Sequence, residues 1–202
     1  MSKRCSVIGI TGGISTGKST FGRLLQERTG AAFFDADRAA RRLVDEDDEV
    51  RRLLREQFGT GIFSAGGDLN RAALRAIVFA ESEKKRALEQ ILHPRIRLQW
   101  AAEAKRSRQA GDLFLADIPL LYETEGESLC DCVVVVGCSP TIQAQRLMRR
   151  ARLSLPDALA MISSQMPLPE KISRADHVVW NNGPLSALEA QVEILARRWE
   201  SN

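Results

Sequence analysis

The glycine-rich turn Gly12–Ser19 constrains the fold more than any other feature of the chain. It reads Gly-Gly-Ile-Ser-Thr-Gly-Lys-Ser and matches the spacing G-x-x-x-x-G-K-[ST]. The apolar run Cys5–Ile10 precedes it, and apolar residues at helical spacing follow from Lys18 to about Arg28. Such a turn binds phosphate when it joins a strand to a helix, so the sequence predicts a phosphate-binding loop here.

Each residue type in this loop has a chemical reason to be there. Glycines let the backbone curl so that successive N–H groups point at phosphate oxygens, and the helix after the loop directs its positive end at them. Lys18 supplies a mobile charge for the β- and γ-phosphates, and the Ser19 hydroxyl is a ligand for Mg²⁺. The loop residues that we expect to bind ATP are Gly12, Gly13, Ser15, Thr16, Gly17, Lys18, Ser19 and Thr20.

Four further short apolar runs alternate with helical patterns along the chain. They predict strands at Ala31–Phe34, Leu113–Ala116, Cys132–Val136 and His177–Trp180. Strands that alternate with helices form a doubly wound parallel sheet, so the predicted fold class is α/β. Ligands bind such sheets at the carboxyl ends of the strands. The polar residues predicted at those ends are the phosphate loop, Asp35, Asp37, Asp117 and Asn181.

The segment 38–110 carries helical patterns and no strand signal. One helix is predicted through Leu43–Phe58, followed by a glycine-rich loop at Gly59–Asp68, and Asn70 is expected to cap the next helix. His93-Pro94 is expected to interrupt the helix after that, because the residue before a proline avoids the helical region. The segment therefore predicts a helical lobe inserted into the sheet domain.

The acidic residues at the strand ends have two interpretations each. Asp117 suits the shell of a Mg²⁺ ion, and the alternative is an aspartate that caps a turn. Asp35 and Asp37 suit a general base or a metal ligand, and the alternative is that Asp37 caps the following helix. Spacing alone leaves both pairs of alternatives open.

Basic residues also have two interpretations. Arg146, Arg149, Arg150 and Arg152 crowd one predicted helix end, where they could clamp a phosphoryl group in transfer or form a solvated basic face. His93 could contact a ligand or simply lie at a helix end.

Composition excludes several classes of protein. The chain has 202 residues, of which 44% are hydrophobic, so it can bury a core without disulfides. No stretch approaches the roughly 18 apolar residues of a membrane helix, and the apolar run after Met1–Arg4 is too short for a signal peptide. We therefore expect a cytoplasmic protein. The 29 basic residues are nearly balanced by 26 acidic ones and only 5% of residues are aromatic, which disfavours nucleic-acid binding.

The cysteines do not form a metal-binding pattern. Cys130 and Cys132 flank the start of a predicted strand, Cys5 opens another, and Cys138 follows a third. No second closely spaced Cys/His pair completes a zinc site. We expect reduced thiols that are buried or half-buried.

Taken in order, these motifs resemble the dephospho-CoA kinase family. The resemblance spans nearly the whole chain, and its most specific segments are Asp117–Glu123 and His93-Pro94. Ser15 departs from the family pattern because it stands where that family usually has a glycine, although a small side chain should be tolerated. The other segments are Thr11–Thr20, Asp35–Arg41, Asn70–Phe79, Gln143 with Arg146, Arg150 and Gln165-Met166, and Ala175-Asp176 with Asn181 and Gly183.

The resemblance implies transfer of the ATP γ-phosphoryl group to the ribose 3′-hydroxyl of dephospho-CoA, with Mg²⁺. It implies a phosphate-loop core (1–37, 111–140 and 175–202), a helical substrate lobe (38–110) and a helical lid (141–174). Carried over by position, Asp37 is the base, and Asp35, Lys18 and Arg150 complete the catalytic set. Arg146 and Asn181 join the loop in binding ATP, Asp37, His93, Asp117 and Leu120 bind the acceptor, and Ser19 and Asp117 hold the metal.

Three other classes of protein remain as alternatives. Another small phosphate-loop kinase, for a nucleoside monophosphate or a small metabolite, would carry the same loop and differ in its acceptor lobe. A nucleotide-binding switch of the GTPase type would need an N-K-x-D motif, which Asn181–Pro184 does not supply. A nucleic-acid-binding module has no recognisable motif here. The expected partners are ATP and dephospho-CoA, with no nucleic acid and no membrane, and the chain is expected to be a monomer or a weak homo-oligomer.

Overall fold

The computed structural model describes residues 5–200 and contains one five-stranded sheet. The spatial order is β2-β3-β1-β4-β5, and every neighbouring pair is parallel. The predicted parallel α/β fold is confirmed, with strand limits within two residues of the sequence-based ones. The strands are β1 (Val7–Gly12), β2 (Ala32–Asp35), β3 (Phe114–Asp117), β4 (Cys132–Gly137) and β5 (His177–Trp180).

Helices connect and flank the strands. Two short 3₁₀ turns, Thr60–Ile62 and Gly126–Leu129, lie in the connections. The α-helices are α1 (Lys18–Thr29), α2 (Ala36–Glu46), α3 (Asp48–Phe58), α4 (Arg71–Ala80), α5 (Ser82–Ala110), α6 (Pro140–Ala151), α7 (Leu155–Ser163), α8 (Leu168–Ser173) and α9 (Leu185–Glu200).

The core of the sheet domain fixes the start of α1. Every residue of β1 and β4 is buried, as expected for central strands covered on both faces. Phe21 and Leu25 of α1 share one hydrophobic cluster with β1, β4 and α9. The predicted apolar face of the last helix is confirmed, since Leu188, Val192, Leu195 and Trp199 belong to this cluster. Packing therefore holds α1 against β1, on either side of the phosphate loop.

The chain divides into two compact units. Within the described residues, one comprises 5–35 and 101–200, and it contains the whole sheet. The other is Ala36–Trp100 and is built from helices, apart from an isolated bridge between Phe63 and Leu69. The helical unit ends within α5, whereas the sequence-based lobe extended to the end of that helix.

One predicted helix is two helices in the structure. The segment predicted as a single helix through Leu43–Phe58 breaks between α2 and α3, because Asp47 has an extended backbone and its side chain accepts a hydrogen bond from the Val50 N–H at 2.9 Å. An N-cap aspartate starts a new helix more effectively than it continues one. The predicted cap at Asn70 is confirmed, with a bond from the Ala73 N–H at 3.0 Å.

The predicted interruption at His93-Pro94 is wrong, because α5 runs through it. A proline in a helix interior costs about 3 kcal/mol. Beyond it, Ile96 and Trp100 are buried, and each such side chain contributes about 1.5–3 kcal/mol. The Arg95 guanidinium also donates to the Ile91 carbonyl at 2.9 Å. Burial of the second half of α5 therefore outweighs the local cost.

The thiols lie as predicted. Cys132 and Cys138 are buried, Cys5 and Cys130 are half-buried, and none of the four forms a disulfide within the described part of the chain. Burial raises the pKa of Cys130 to about 12, so its thiol is protonated at neutral pH. Among the helices that the structure describes, none is both long enough and apolar enough to cross a membrane.

Candidate active site

The phosphate loop lies between β1 and α1, where the first helix begins without a capping side chain. Gly17 occupies the N-cap position in a left-handed conformation, with φ of 95°. Among residues 5–200, no side chain caps this end, and the first turn of α1 contains no acidic residue. The first N–H groups of a helix lack partners within the helix and carry partial positive charge. This end of α1 is therefore built to receive an anion.

Each of the three loop glycines would collide with a neighbour if it carried a Cβ, and on Gly13 that neighbour is the Gln143 carboxamide. A Cβ on Gly12 would meet the carbonyl oxygen of Val136, and a Cβ on Gly17 would meet the Asn181 carboxamide. Gly17 also needs its positive φ. These approaches explain why glycine is required at both ends of the loop.

Three amide side chains from other elements hold the loop backbone. The Gln143 amide donates to the Ile14 carbonyl at 2.9 Å, and the Gln165 carboxamide oxygen accepts from the Ile14 N–H at 3.2 Å. The Asn181 amide donates to the Thr16 carbonyl at 2.9 Å. Gln143 lies on α6, Gln165 between α7 and α8, and Asn181 after β5. The loop is thus braced from three directions and presents a fixed backbone to a ligand.

Ser15 is strained within this otherwise well-braced loop. Its φ is 59°, in the left-handed region that costs a side chain with a Cβ. Its hydroxyl is buried and has no hydrogen-bond partner among the described residues. The position where the sequence departs from the family's glycine is therefore a position where the backbone favours glycine.

Lys18 and Asp117 form a buried ion pair at the edge of the sheet. Their exposed fractions are 9% and 2%, and the Lys18 ammonium donates to Asp117 Oδ1. Asp117 ends β3, where its register partners are Ile10 on β1 and Asp35 on β2. Parallel pairing therefore places Asp35, Asp117 and the loop lysine at one edge of the sheet, as predicted from the strand ends.

The oxygen ligands here suit a phosphate-bound divalent cation. Asp117 contributes a carboxylate and Ser19 a hydroxyl on the exposed first turn of α1. The described residues contain no group of three or more His, Cys, Asp or Glu side chains that could hold a metal ion by themselves. Mg²⁺ commonly takes one or two protein oxygens and completes its shell with phosphate oxygens and water. Ser19 and Asp117 fit that pattern.

The arginines of α6 have different environments. Arg146 is half-buried, and its Nη1 atom is buried without a partner among the described residues. Burial raises the pKa of Cys138, and the neighbouring Arg146 charge partly offsets this. Arg149 and Arg150 are exposed in the last turn, and Arg152 follows the helix with φ of 53°. Arg146 thus points a donor inward, whereas Arg150 extends into solvent.

The remaining predicted residues lie in three places. Asp37 is exposed in the first turn of α2, which begins at Ala36, so Asp37 does not occupy the N-cap position considered from the sequence. His93 is half-buried on α5, where burial lowers its pKa and Glu89 partly offsets the shift. Leu120 is half-buried in the turns that follow β3.

Sequence reasoning gave no role to a buried pair behind the loop. Lys171 on α8 is 0% exposed, and its ammonium contacts the Pro119 carbonyl at 2.9 Å and the Glu123 carboxylate at 2.8 Å. The sequence also showed no sign that the Gln143 and Gln165 side chains hold the loop backbone, although both belong to segments that resemble the family. A lysine in a short polar helix carries no local signal of burial, so only the tertiary structure reveals this pair.

The sheet order, the braced loop and the uncapped α1 together define a phosphate-loop kinase. Solved structures support that class. A structure from Thermus thermophilus aligns with a TM-score of 0.75 and 36% identity, covering 96% of this chain and 98% of that one. A dephospho-CoA kinase from Campylobacter jejuni aligns with a TM-score of 0.72 and 25% identity, covering 96% of each chain.

Sequence comparison identifies the family. The family model described as dephospho-CoA kinase matches residues 6–187. A dephospho-CoA kinase from Listeria monocytogenes is 41% identical over 196 residues, which is 96% of this chain and 98% of that protein. The chain belongs to the dephospho-CoA kinase family, and the resemblance seen in the sequence is confirmed.

Proposed function

We propose that this protein transfers the γ-phosphoryl group of ATP to the ribose 3′-hydroxyl of dephospho-CoA, giving coenzyme A and ADP. One observation carries the proposal: the braced loop and the uncapped end of α1 form an anion site beside Lys18, in a chain of this family. The loop is generic among phosphate-loop kinases, so the family identifies the acceptor.

The loop residues would act by positioning and charge. Phosphoryl transfer passes through a loose transition state in which charge spreads over the phosphoryl oxygens, so fixed donors and cations supply most of the catalysis. The N–H groups at the start of α1 and the Lys18 ammonium are such groups. Lys18 is held by Asp117 in this structure, which keeps its charge at the loop.

We further propose that Ser19 and Asp117 hold Mg²⁺ when ATP is bound. The ion would neutralise charge on the transferred phosphate. Asp117 would then serve two cations, since its carboxylate already accepts from Lys18.

The helical unit offers a pocket for the acceptor. A cavity of about 600 Å³ lies among α2, α4 and α5 of this unit. Its lining combines apolar side chains with the three arginines Arg41, Arg71 and Arg75. An apolar wall with a few charged groups is typical of a small-molecule site. The apolar residues are Ala40, Val44, Leu69, Leu74, Val78, Leu88 and Leu92.

The lining chemistry fits the non-reacting part of dephospho-CoA. Arg71 contacts the Asp45 carboxylate at 2.6 Å, which leaves the guanidinium groups of Arg41 and Arg75 without an ion-pair partner among residues 5–200. Arginine is suited to bidentate contact with phosphate oxygens. We infer that Arg41 and Arg75 contact the acceptor's diphosphate and that the apolar wall packs on its pantetheine arm.

The catalytic base is proposed to be Asp37. It is exposed on the first turn of α2, immediately after the strand that ends with Asp35. A carboxylate that takes the proton of an attacking hydroxyl contributes about 10²–10⁴-fold. Asp35 is the second candidate for this role.

Other assignments complete the proposal. Arg150, in a lid formed by 141–174, would contact the phosphates, and Arg146 would bind ATP with Asn181 and the loop. His93 and Leu120 would contact the acceptor. The proposed domains are a substrate lobe of 38–110 and a nucleotide-binding core of 1–37, 111–140 and 175–202. We also propose a cytoplasmic location, where the cysteine thiols stay reduced, and a monomeric or weakly associated chain.

An acceptor panel tests the proposed function. ADP release is measured with dephospho-CoA, AMP, CMP, dTMP and shikimate, and without any acceptor. The proposal expects kcat/KM for dephospho-CoA to exceed every other value by at least 10²-fold. Comparable or faster turnover of AMP, CMP, dTMP or shikimate would establish the alternative, another small phosphate-loop kinase.

A further inference from the structure

The buried ammonium of Lys171 connects two segments that flank the phosphate site. Its side chain is 0% exposed, and it donates to the Pro119 carbonyl at 2.9 Å and to Glu123 Oε1 at 2.8 Å. The Pro119 carbonyl also accepts from the Thr11 hydroxyl at 3.1 Å. Thr11 lies on β1 directly before the loop, and Pro119 follows Asp117 by two residues. One carbonyl therefore ties Lys171 to the strand that leads into the loop.

The contact of Lys171 with Glu123 leads, through further hydrogen bonds, to the phosphate loop. Glu123 Oε1 accepts from the Met166 N–H at 3.1 Å in addition to the Lys171 ammonium. Met166 follows Gln165, whose carboxamide oxygen accepts from the Ile14 N–H at 3.2 Å. The order of contacts is thus Lys171, Glu123, the backbone of Met166, Gln165 and the loop residue Ile14. We call these residues the loop relay.

Burial of the Lys171 ammonium is not explained by a gain in stability alone. Removing a lysine from water costs several kcal/mol, and apolar residues of similar volume often stabilise a core as well as a buried ion pair does. A buried pair is effective in fixing geometry, because each partner accepts few alternative positions. Among the residues that the structure describes, the Lys171 ammonium has one carbonyl and one carboxylate oxygen as partners, both on the segment 119–123.

We propose that Lys171 is a positioning residue for phosphoryl transfer, which acts through Glu123 and Gln165 to fix the backbone of the phosphate loop. This rests on the proposed function only for the identity of the acceptor. Lys171 does not touch the nucleotide in this role, because its ammonium is fully buried on protein oxygens. A displacement of about 1 Å at a reacting centre can cost 10²-fold in rate, so a remote brace can control turnover.

Three variants test the relay. Lys171→Met removes the charge at nearly constant volume, Gln165→Met removes the carboxamide that accepts from Ile14, and a third variant combines both. Each single change is expected to lower kcat/KM for ATP at least tenfold and to leave the KM for dephospho-CoA within twofold. The Kd for ATP, measured by calorimetry without an acceptor, should rise at least threefold in each.

The double variant separates positioning from general destabilisation. If Lys171 acts through Gln165, the double variant is no worse than the poorer single variant, because the second change removes nothing further. Multiplied losses would overturn the relay as the route, and unchanged ATP affinity in Lys171→Met would overturn the positioning role. A denaturation curve for each variant establishes that the measured fraction is folded.

Arg174→Gln is the matched control. Arg174 lies just after α8, pairs with Glu127 and stacks on the Tyr122 ring at 4.3 Å. Its guanidinium meets the relay only at the Met166 sulfur, at 4.0 Å, and not at the Met166 N–H or the Lys171 ammonium that carry the relay. It should lose stability and keep kcat/KM for ATP within twofold. An equal kinetic loss in Arg174→Gln and Lys171→Met would mean that any disturbance near α8 slows the enzyme, which contradicts a specific relay. Because ATP binding is measured without an acceptor, the test of the relay does not depend on the acceptor panel. Inactivity with dephospho-CoA refutes the proposed function, whereas unchanged ATP affinity in Lys171→Met refutes the relay.

Discussion

Replacing Ser15 by glycine should make the protein more stable. The present residue has two costs, a left-handed backbone with φ of 59° and a buried hydroxyl without a partner among the described residues. A Cβ in the left-handed region costs about 1–2 kcal/mol, and an unsatisfied buried polar group about 1–3 kcal/mol. Glycine gives back about 0.4–1 kcal/mol because it makes the unfolded chain more flexible. The expected gain in free energy of unfolding is therefore about 1–4.5 kcal/mol.

Ser15→Ala divides this gain into its two parts. Alanine removes the hydroxyl and keeps the Cβ, so only the gain from the unsatisfied group, about 1–3 kcal/mol, is expected. Arg152→Gly is the control for the backbone part. Arg152 has a similar φ of 53° but is exposed, so relief of backbone strain there comes without a buried hydroxyl.

Urea denaturation without nucleotide is the assay, because bound ATP would add its own stabilisation. Each kcal/mol should also raise Tm by about 2–4 °C in a chain of this size. The order of stability should be Ser15→Gly, then Ser15→Ala, then wild type. If Ser15→Gly is no more stable than wild type, the attribution of strain to this residue is wrong.

Three further sets of variants test the site and the pH dependence of the fold. Asp37→Asn should lower kcat at least 10²-fold in steady-state kinetics while calorimetry still detects binding of both substrates, and Asp35→Asn should have the smaller effect. Normal turnover by Asp37→Asn would exclude Asp37 as the base. Arg41→Gln and Arg75→Gln should each raise the KM for dephospho-CoA about tenfold and leave the KM for ATP unchanged. Arg42→Gln should match wild type, because Arg42 is exposed on α2 beside Arg41 and does not line the pocket. Burial lowers the pKa of both His93 and His177 below 6.5, so the unfolded chain binds their protons more tightly and stability should fall as the pH drops below about 6.5. The double variant His93→Gln/His177→Gln should lose less stability between pH 7.5 and 5.5 than wild type in urea titrations, and an equal loss would contradict the assigned shifts.

The parts of the structure that follow local rules were predictable from the sequence. The phosphate loop has a fixed spacing, and the strands are short apolar runs bounded by turn residues. The cap at Asn70 follows from its side chain and the helix after it. The edge that joins Asp35 and Asp117 follows from parallel pairing alone.

The failures show where longer-range packing or competing local signals decide. Pro94 was expected to stop a helix, but burial of Ile96 and Trp100 carries α5 past it. Asp47 could have been recognised as a cap, but the apolar spacing on both sides concealed the break. The loop braces Gln143 and Gln165 come from 129 and 151 residues away along the chain, and no local pattern marks such contacts.

The central claim is that the phosphoryl group goes to the 3′-hydroxyl of dephospho-CoA. The most direct measurement is to incubate the wild-type protein with ATP and dephospho-CoA and to locate the new phosphate by mass spectrometry and phosphorus NMR. Dephospho-CoA that lacks the 3′-hydroxyl serves as the matched acceptor. The account predicts one product, coenzyme A with a 3′-phosphomonoester, formed in step with ADP, and no phosphorylation of the 3′-deoxy acceptor. Phosphate at another position, or phosphorylation of the 3′-deoxy acceptor, would contradict it.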